Sequence, residues 1–194
     1  MVSEPQVSRT RTRVAIVAGV GIVAAIVFLF IPPIPQDPHY HQFADQRPFF
    51  GVPHFWNVVS NAPFVLAGLA GLWFLMLRCE DPRFIVFFIG VTLTGIGSAY
   101  YHANPTSARL FWDRLPLTTA LMSLFAIVIR ERTGARLMIP LLVAGAGSML
   151  YWQATDDLRP YALVQFYPIL AIPMLMVLFR PKYTRSGDLA AVIV

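Results

Sequence analysis

Three polar side chains interrupt two of the most apolar stretches in the chain. In GSAYYHANPTSARLFWDRLP, residues 97–116, Ser98 and His102 stand four apart and Asp113 follows eleven residues later. Four residues is one helical turn, so Ser98 and His102 share a face. The run from Phe84 is apolar up to that point, so His102 falls near one end of a membrane-crossing helix. The next apolar run, Leu115 to Ile129, is 15 residues and too short to cross alone. To cross, its helix must draw Asp113 and Arg114 to the membrane boundary, at the depth of His102. A histidine, a carboxylate and a hydroxyl in one sheltered place are the materials of a metal-bound, activated water. Ionisable groups at such depth are costly and mark functional sites.

The spacing alone also allows plainer readings. A histidine at a helix end is often interfacial, and Asp113 could pair with Arg114 or Arg109. One histidine and one aspartate do not complete a zinc site, which takes three protein ligands and an open position.

The elements that must carry these residues follow from composition. Of the 194 residues, 57% are hydrophobic and 13% charged, about half the charged share of a soluble domain. The expected class is an all-α polytopic membrane bundle. Six apolar segments qualify as spans: 14–31, 57–77, 84–102, 113–130, 137–153 and 161–179. The tract 32–56, rich in Pro, His and aromatics, reads as an interfacial loop. The run 14–31 is longer than a signal-peptide core and is followed by prolines rather than a cleavage site, so it reads as a retained first helix. The single cysteine, Cys79, excludes an internal disulfide and a multi-cysteine metal site.

Eleven of the 15 Lys and Arg residues lie in 1–13, 78–83, 130–136 and 180–185. That bias predicts a cytoplasmic N-terminus and places the Ser98–Asp113 region on the other side. The net charge of +5 therefore sets topology and implies no nucleic-acid partner. Glycine clusters at 68/71, 90/95/97 and 145/147 read as close helix packing. Trp56, Trp73, Trp112 and Trp152, with Tyr100, Tyr101, Tyr151 and Tyr161, read as an interfacial belt. Gln165 is expected to hydrogen-bond a neighbouring helix. His39, His41, Asp156, Asp157 and Arg159 read as solvated loop residues, the last three with at most one ion pair, and His54 as interfacial.

The 97–116 stretch resembles the Ser-x-x-x-His and downstream Asp of the alkaline ceramidases, within a superfamily of seven-helix membrane hydrolases that includes adiponectin receptors and Per1-like proteins. HFWNVVSNAPF, 54–64, is similar to the opening of that family's first core helix, and DDLRPYALVQFYP, 156–168, resembles a stretch of its bacterial members. The resemblance runs from about residue 45 onward. It implies a first unit, 1–56, of tail, extra N-terminal helix and loop, and a core unit, 57–194. Two more core helices would follow Phe179, the first begun by the closing LAAVIV, so the chain is expected to be short of its relatives at the C-terminus.

By the same resemblance His102 would be a zinc ligand, Ser98 a donor to the developing oxyanion and Asp113 the general base, in hydrolysis of the N-acyl amide of ceramide or a related lipid. The family's other two zinc ligands come from a His-x-x-x-His that is absent here, the histidines being His39, His41, His54 and His102. The family's calcium-site glutamate before Phe-Trp-Asn is His54 here, so calcium is not expected. The resemblance implies a bacterial inner-membrane enzyme acting on a membrane lipid. The sequence sets no oligomeric state. The rival is a lipid-binding or assembly protein that keeps the fold without catalysis. A small-solute transporter is disfavoured by the lack of paired inverted segments and of mid-span acidic residues.

Overall fold

A computed structural model describes residues 4–78 and 82–181. Cys79 and the closing LAAVIV lie outside the described residues. The fold is all-helical, with no strand among the described residues: α1 (Glu4–Phe30), the short α2 (Phe55–Val59), α3 (Ala62–Arg78), α4 (Arg83–Ala103), α5 (Ser107–Thr133), α6 (Met138–Thr155) and α7 (Arg159–Leu178).

Five segments among the described residues are long and apolar enough to cross a bilayer: Thr10–Phe30, Phe55–Arg78, Arg83–Ala103, Ser107–Thr133 and Arg159–Leu178. Five of the six expected spans meet that condition. The helix expected over 137–153 forms as α6, but Ser148, Tyr151, Trp152, Gln153 and Thr155 dilute its second half. The fourth span starts earlier than expected, because α5 begins at Ser107 and carries Asp113 and Arg114 well inside the helix. Thr106 caps it, its hydroxyl accepting from the Arg109 N–H at 3.3 Å, and Gly134, at φ 87°, ends it in the left-handed conformation that favours glycine.

α5 is the central rod. It packs on α4, α6 and α7, while α3 lies on α4 and α1 on α7. The main core joins Met122, Phe125 and Val128 of α5 to Ala171, Ile172 and Leu175 of α7 and Val17 of α1. α1 keeps only a slender seam: the Tyr167 hydroxyl donates to the Val17 carbonyl at 2.8 Å, and the Tyr167 ring lies over Gly21.

Two glycines set the spacing of α4 and α5. A Cβ on Gly90 would meet the backbone of Ala120, and one on Gly97 would collide with the carbonyl oxygen of Trp112. That carbonyl is unusual. Its normal helical donor would be the N–H of residue 116, which is proline and has none. The freed oxygen faces Gly97 instead, a contact that a glycine Cα–H can complement.

Residues 31–43 form a strap over the helix ends. The Ile34 N–H donates to Asp157 at 3.3 Å, the Gln36 N–H to Asp156 at 3.1 Å, and the Leu158 N–H to the Ile34 carbonyl at 2.8 Å. Asp157 is only 3% exposed and accepts an ion pair from Arg159 at 2.7 Å. The expected solvated loop at 156–159 is therefore corrected. Its ion pair exists, but it is buried because the strap lies on it.

Candidate active site

Ser98, His102 and Asp113 come together where α4 and α5 meet at their shared end. Ser98, 8% exposed, brings its hydroxyl beside the Asp113 carboxylate. One turn further along α4, half-buried His102 lies close enough to Asp113 for the two to interact electrostatically. The Gly97–Trp112 contact makes this possible, because each of its members immediately precedes one member of the Ser98–Asp113 pair.

The His102 ring is held in aromatic surroundings. Phe43 of the strap lies across it, with centroids 4.6 Å apart, and Tyr101 is 5.1 Å away. Its Nδ1 is buried and has no hydrogen-bond partner. An orphaned buried imidazole nitrogen is costly unless something fills the position, and a metal ion is one such occupant. The imidazole therefore fits a ligand's place. Among the described residues, however, no three His, Cys, Asp or Glu side chains gather around a common point. His102 would be one ligand of a zinc ion, and the others would have to come from elsewhere.

The remaining histidines are more engaged than the loop reading expected. His41 reaches the Tyr101 hydroxyl from Nδ1 at 2.9 Å and the Ser107 hydroxyl from Nε2 at 3.1 Å, so it ties the strap to both α4 and α5. His54 donates from Nδ1 to the Asp45 carbonyl at 2.7 Å and packs its ring edge-on to Phe43. Only His39 remains exposed among loop contacts; its backbone N–H donates to Asp37 at 2.8 Å and its Nδ1 meets Gln42 at 3.1 Å. Asp45 also accepts from the Trp56 N–H at 3.1 Å and the Arg47 guanidinium at 3.0 Å. Desolvation pushes the Asp45 carboxyl up, but these hydrogen bonds outweigh it and hold the group below its ordinary value.

Sequence reasoning missed the surroundings of Arg114. It is 7% exposed and forms no ion pair with a carboxylate among the described residues. Its guanidinium lies over Trp152 at 4.8 Å, Tyr161 at 5.0 Å and Tyr40 at 5.2 Å, and donates to the Gln36 side chain at 2.8 Å. Three ring faces and one amide stand in for water around the cation, and they hold it one residue from Asp113. Trp152 and Tyr101, 3% and 1% exposed, are thus buried parts of the site rather than members of an interfacial belt. Trp56, Trp73, Trp112, Tyr100 and Tyr151 are exposed as that belt requires. The Gln165 side chain does not make the expected bond: its carbonyl oxygen is buried without a partner.

Comparisons with known proteins point to one family. The family model described as Ceramidase matches residues 51–187. The chain belongs to the ceramidase family. It is 27% identical over 150 residues to a Dictyostelium discoideum protein named "Putative alkaline ceramidase dcd3A", an alignment covering 68% of this chain and 49% of that one. The chain thus spans about half the length of that curated relative. No solved structure matches it. α1 lies outside the matched segment.

Proposed function

We propose that this chain provides the Ser–His–Asp part of a membrane amidase that cleaves the N-acyl amide of ceramide or a related lipid. The juxtaposition of Ser98 and Asp113, with an unpartnered His102 nitrogen one turn away, is the observation that carries the reading. On this reading the enzyme sits in a bacterial inner membrane, and the Lys and Arg bias supports a cytoplasmic N-terminus with the site toward the opposite face.

His102 would hold a zinc ion, with the remaining ligands supplied by residues outside this set. Bound zinc polarises an amide carbonyl and lowers the pKa of water to about 7. Asp113 takes the proton of the attacking water as its oxygen bonds to the amide carbon. Ser98 has one proton to donate. At rest the neighbouring Asp113 carboxylate can accept it in a hydrogen bond; once Asp113 is protonated, the hydroxyl is free to turn to the oxyanion. When the C–N bond breaks, Asp113 returns its proton to the leaving nitrogen, which yields a fatty acid and an amine. Phe43, Tyr101 and the strap exclude bulk water from the outer side. No calcium site belongs to this reading: His54 precedes Phe55, and the Asp45 oxygens are occupied by Arg47 and Trp56.

The test is release of fatty acid from ceramide by the purified protein in a bilayer. Wild type should release it, and Asp113→Asn and His102→Ala should not. Equal release by His102→Ala would remove the metal-ligand role. A second reading, a lipid-binding protein that keeps the fold without turnover, is favoured by the absence of a three-donor cluster among the described residues. That reading predicts ceramide binding with no release.

A further inference from the structure

An apolar groove of about 470 Å³ runs along the lipid-facing side of the α4–α5 seam. Leu93, Ile96 and Tyr100 form one wall; Trp112, Leu115 and Thr119 form the other. Its lining includes none of Ser98, His102 and Asp113, so it is not the reaction site. From Gly90 to Tyr100 it follows ten residues of helix, about 15 Å at 1.5 Å per residue. One leaflet of a hydrocarbon core about 30 Å thick is also about 15 Å deep. The groove therefore has the depth of a single leaflet, from mid-bilayer to interface.

A trough of this kind in a bilayer does not stay empty, because a void forfeits the contacts of its whole lining. Acyl chain is the material at hand. Apolar attraction does not make one lipid preferred, since lipid tails are as apolar as leucine. A preference must come from the head.

The interfacial end carries a cation. The Arg109 guanidinium stacks on the Tyr100 ring at 4.3 Å and donates one hydrogen bond, at 3.3 Å, to the Tyr100 carbonyl. No carboxylate lies within ion-pair distance of it among the described residues. Its other donors, on a planar fork suited to phosphate oxygens, stand at headgroup level beside exposed Trp112. We infer that the α4–α5 groove binds an anionic phospholipid of the surrounding bilayer, one acyl chain in the trough and the phosphate on Arg109.

The site can be tested on the purified full chain in nanodiscs of phosphatidylcholine, with and without phosphatidylglycerol of the same chains. Phosphatidylglycerol should raise the melting temperature, because a ligand of the folded state stabilises it. The rise should be lost in Arg109→Gln and in Leu93→Trp, which fills the trough from a half-exposed position. It should persist in Arg47→Gln, which removes the same charge elsewhere, and in Ile169→Trp, which adds bulk to a lipid-facing position on α7. Glycerophosphate, a head without chains, should give no rise.

A phosphatidylglycerol bearing a mid-chain diazirine provides a readout that does not depend on folding stability. It should label the 93–100 and 115–119 segments in wild type and lose that label in Leu93→Trp. Equal melting in both lipids, a shift retained by Arg109→Gln, a shift reproduced by glycerophosphate, or label spread evenly over the lipid-facing helices would each overturn the site. None of these readouts requires turnover, so the result stands apart from the proposed amidase activity.

Discussion

The carbonyl oxygen of Trp112 rests against Gly97. Pro116 frees that oxygen and the missing Cβ admits it, and the next residues on the two helices are Ser98 and Asp113. A methyl group at 97 should force α4 and α5 apart where the site is built. Gly97→Ala is expected to cost roughly 1–3 kcal/mol of stability, the usual penalty for overpacking, and to abolish amide hydrolysis. Gly147, with open space where its Cβ would be, is the control. Gly147→Ala should leave both properties unchanged in thermal unfolding and turnover assays.

Ser98 and Asp113 lie side by side in the site, so their substitutions should not add. If Ser98 stabilises the oxyanion, Ser98→Ala alone should lower kcat by about 10²–10³. Asp113→Asn should lower it further, and the double variant should be little worse than Asp113→Asn. Fully additive losses in a double-mutant cycle would mean that the two side chains act separately.

Much of this pairing is legible in the sequence. Ser98 and His102 fall on one face by spacing, and the run after Asp113 is too short to cross without it. The surroundings are not legible. The rings around Arg114 come from residues 40, 152 and 161, and no local pattern marks a tyrosine in a loop or a tryptophan near a helix end as a cation's neighbour. Trp152 and Tyr101 look like belt residues for the same reason: they share a cluster with Leu110 of α5 and Met149 of α6, and with Phe43 from a strap that the sequence presents only as a proline-rich loop. Asp157 likewise looks solvated until Ile34 is seen lying on it. α6 forms where its pattern places it, but its polar second half keeps it out of the five segments long and apolar enough to cross a bilayer.

The Arg114 cage predicts a stability effect separate from chemistry. Arg114→Met keeps most of the volume but gives up the cation–ring contacts and the bond to Gln36. Cation–ring contacts of this kind contribute about 0.5–2 kcal/mol each, so a loss of roughly 1–3 kcal/mol is expected. Arg114→Lys should recover only part, since an ammonium cannot lie flat on three rings. Denaturation in detergent with both variants checks this. Equal stability for all three proteins would mean that the cage holds nothing together.

The strap predicts a pH effect. The Arg159 hydrogen bonds lower the Asp157 carboxyl from its ordinary 3.8 to about 2, against the opposing effect of burial. A carboxyl lowered on folding stabilises the fold above its unfolded value, and that stability fades as pH falls through the folded one. The melting temperature should therefore drop between pH 4 and pH 2 in wild type. In Asp157→Asn it should be lower at neutral pH and flatter across that window. An unchanged pH profile in the variant would remove Asp157 as the strap's anchor.

The most direct test of the central claim is fatty acid release from ceramide by the bilayer-embedded protein, compared among wild type, Ser98→Ala, His102→Ala and Asp113→Asn. The account predicts release by wild type, a reduced rate for Ser98→Ala and none for the other two. No release by wild type, or release undiminished in Asp113→Asn, would contradict it.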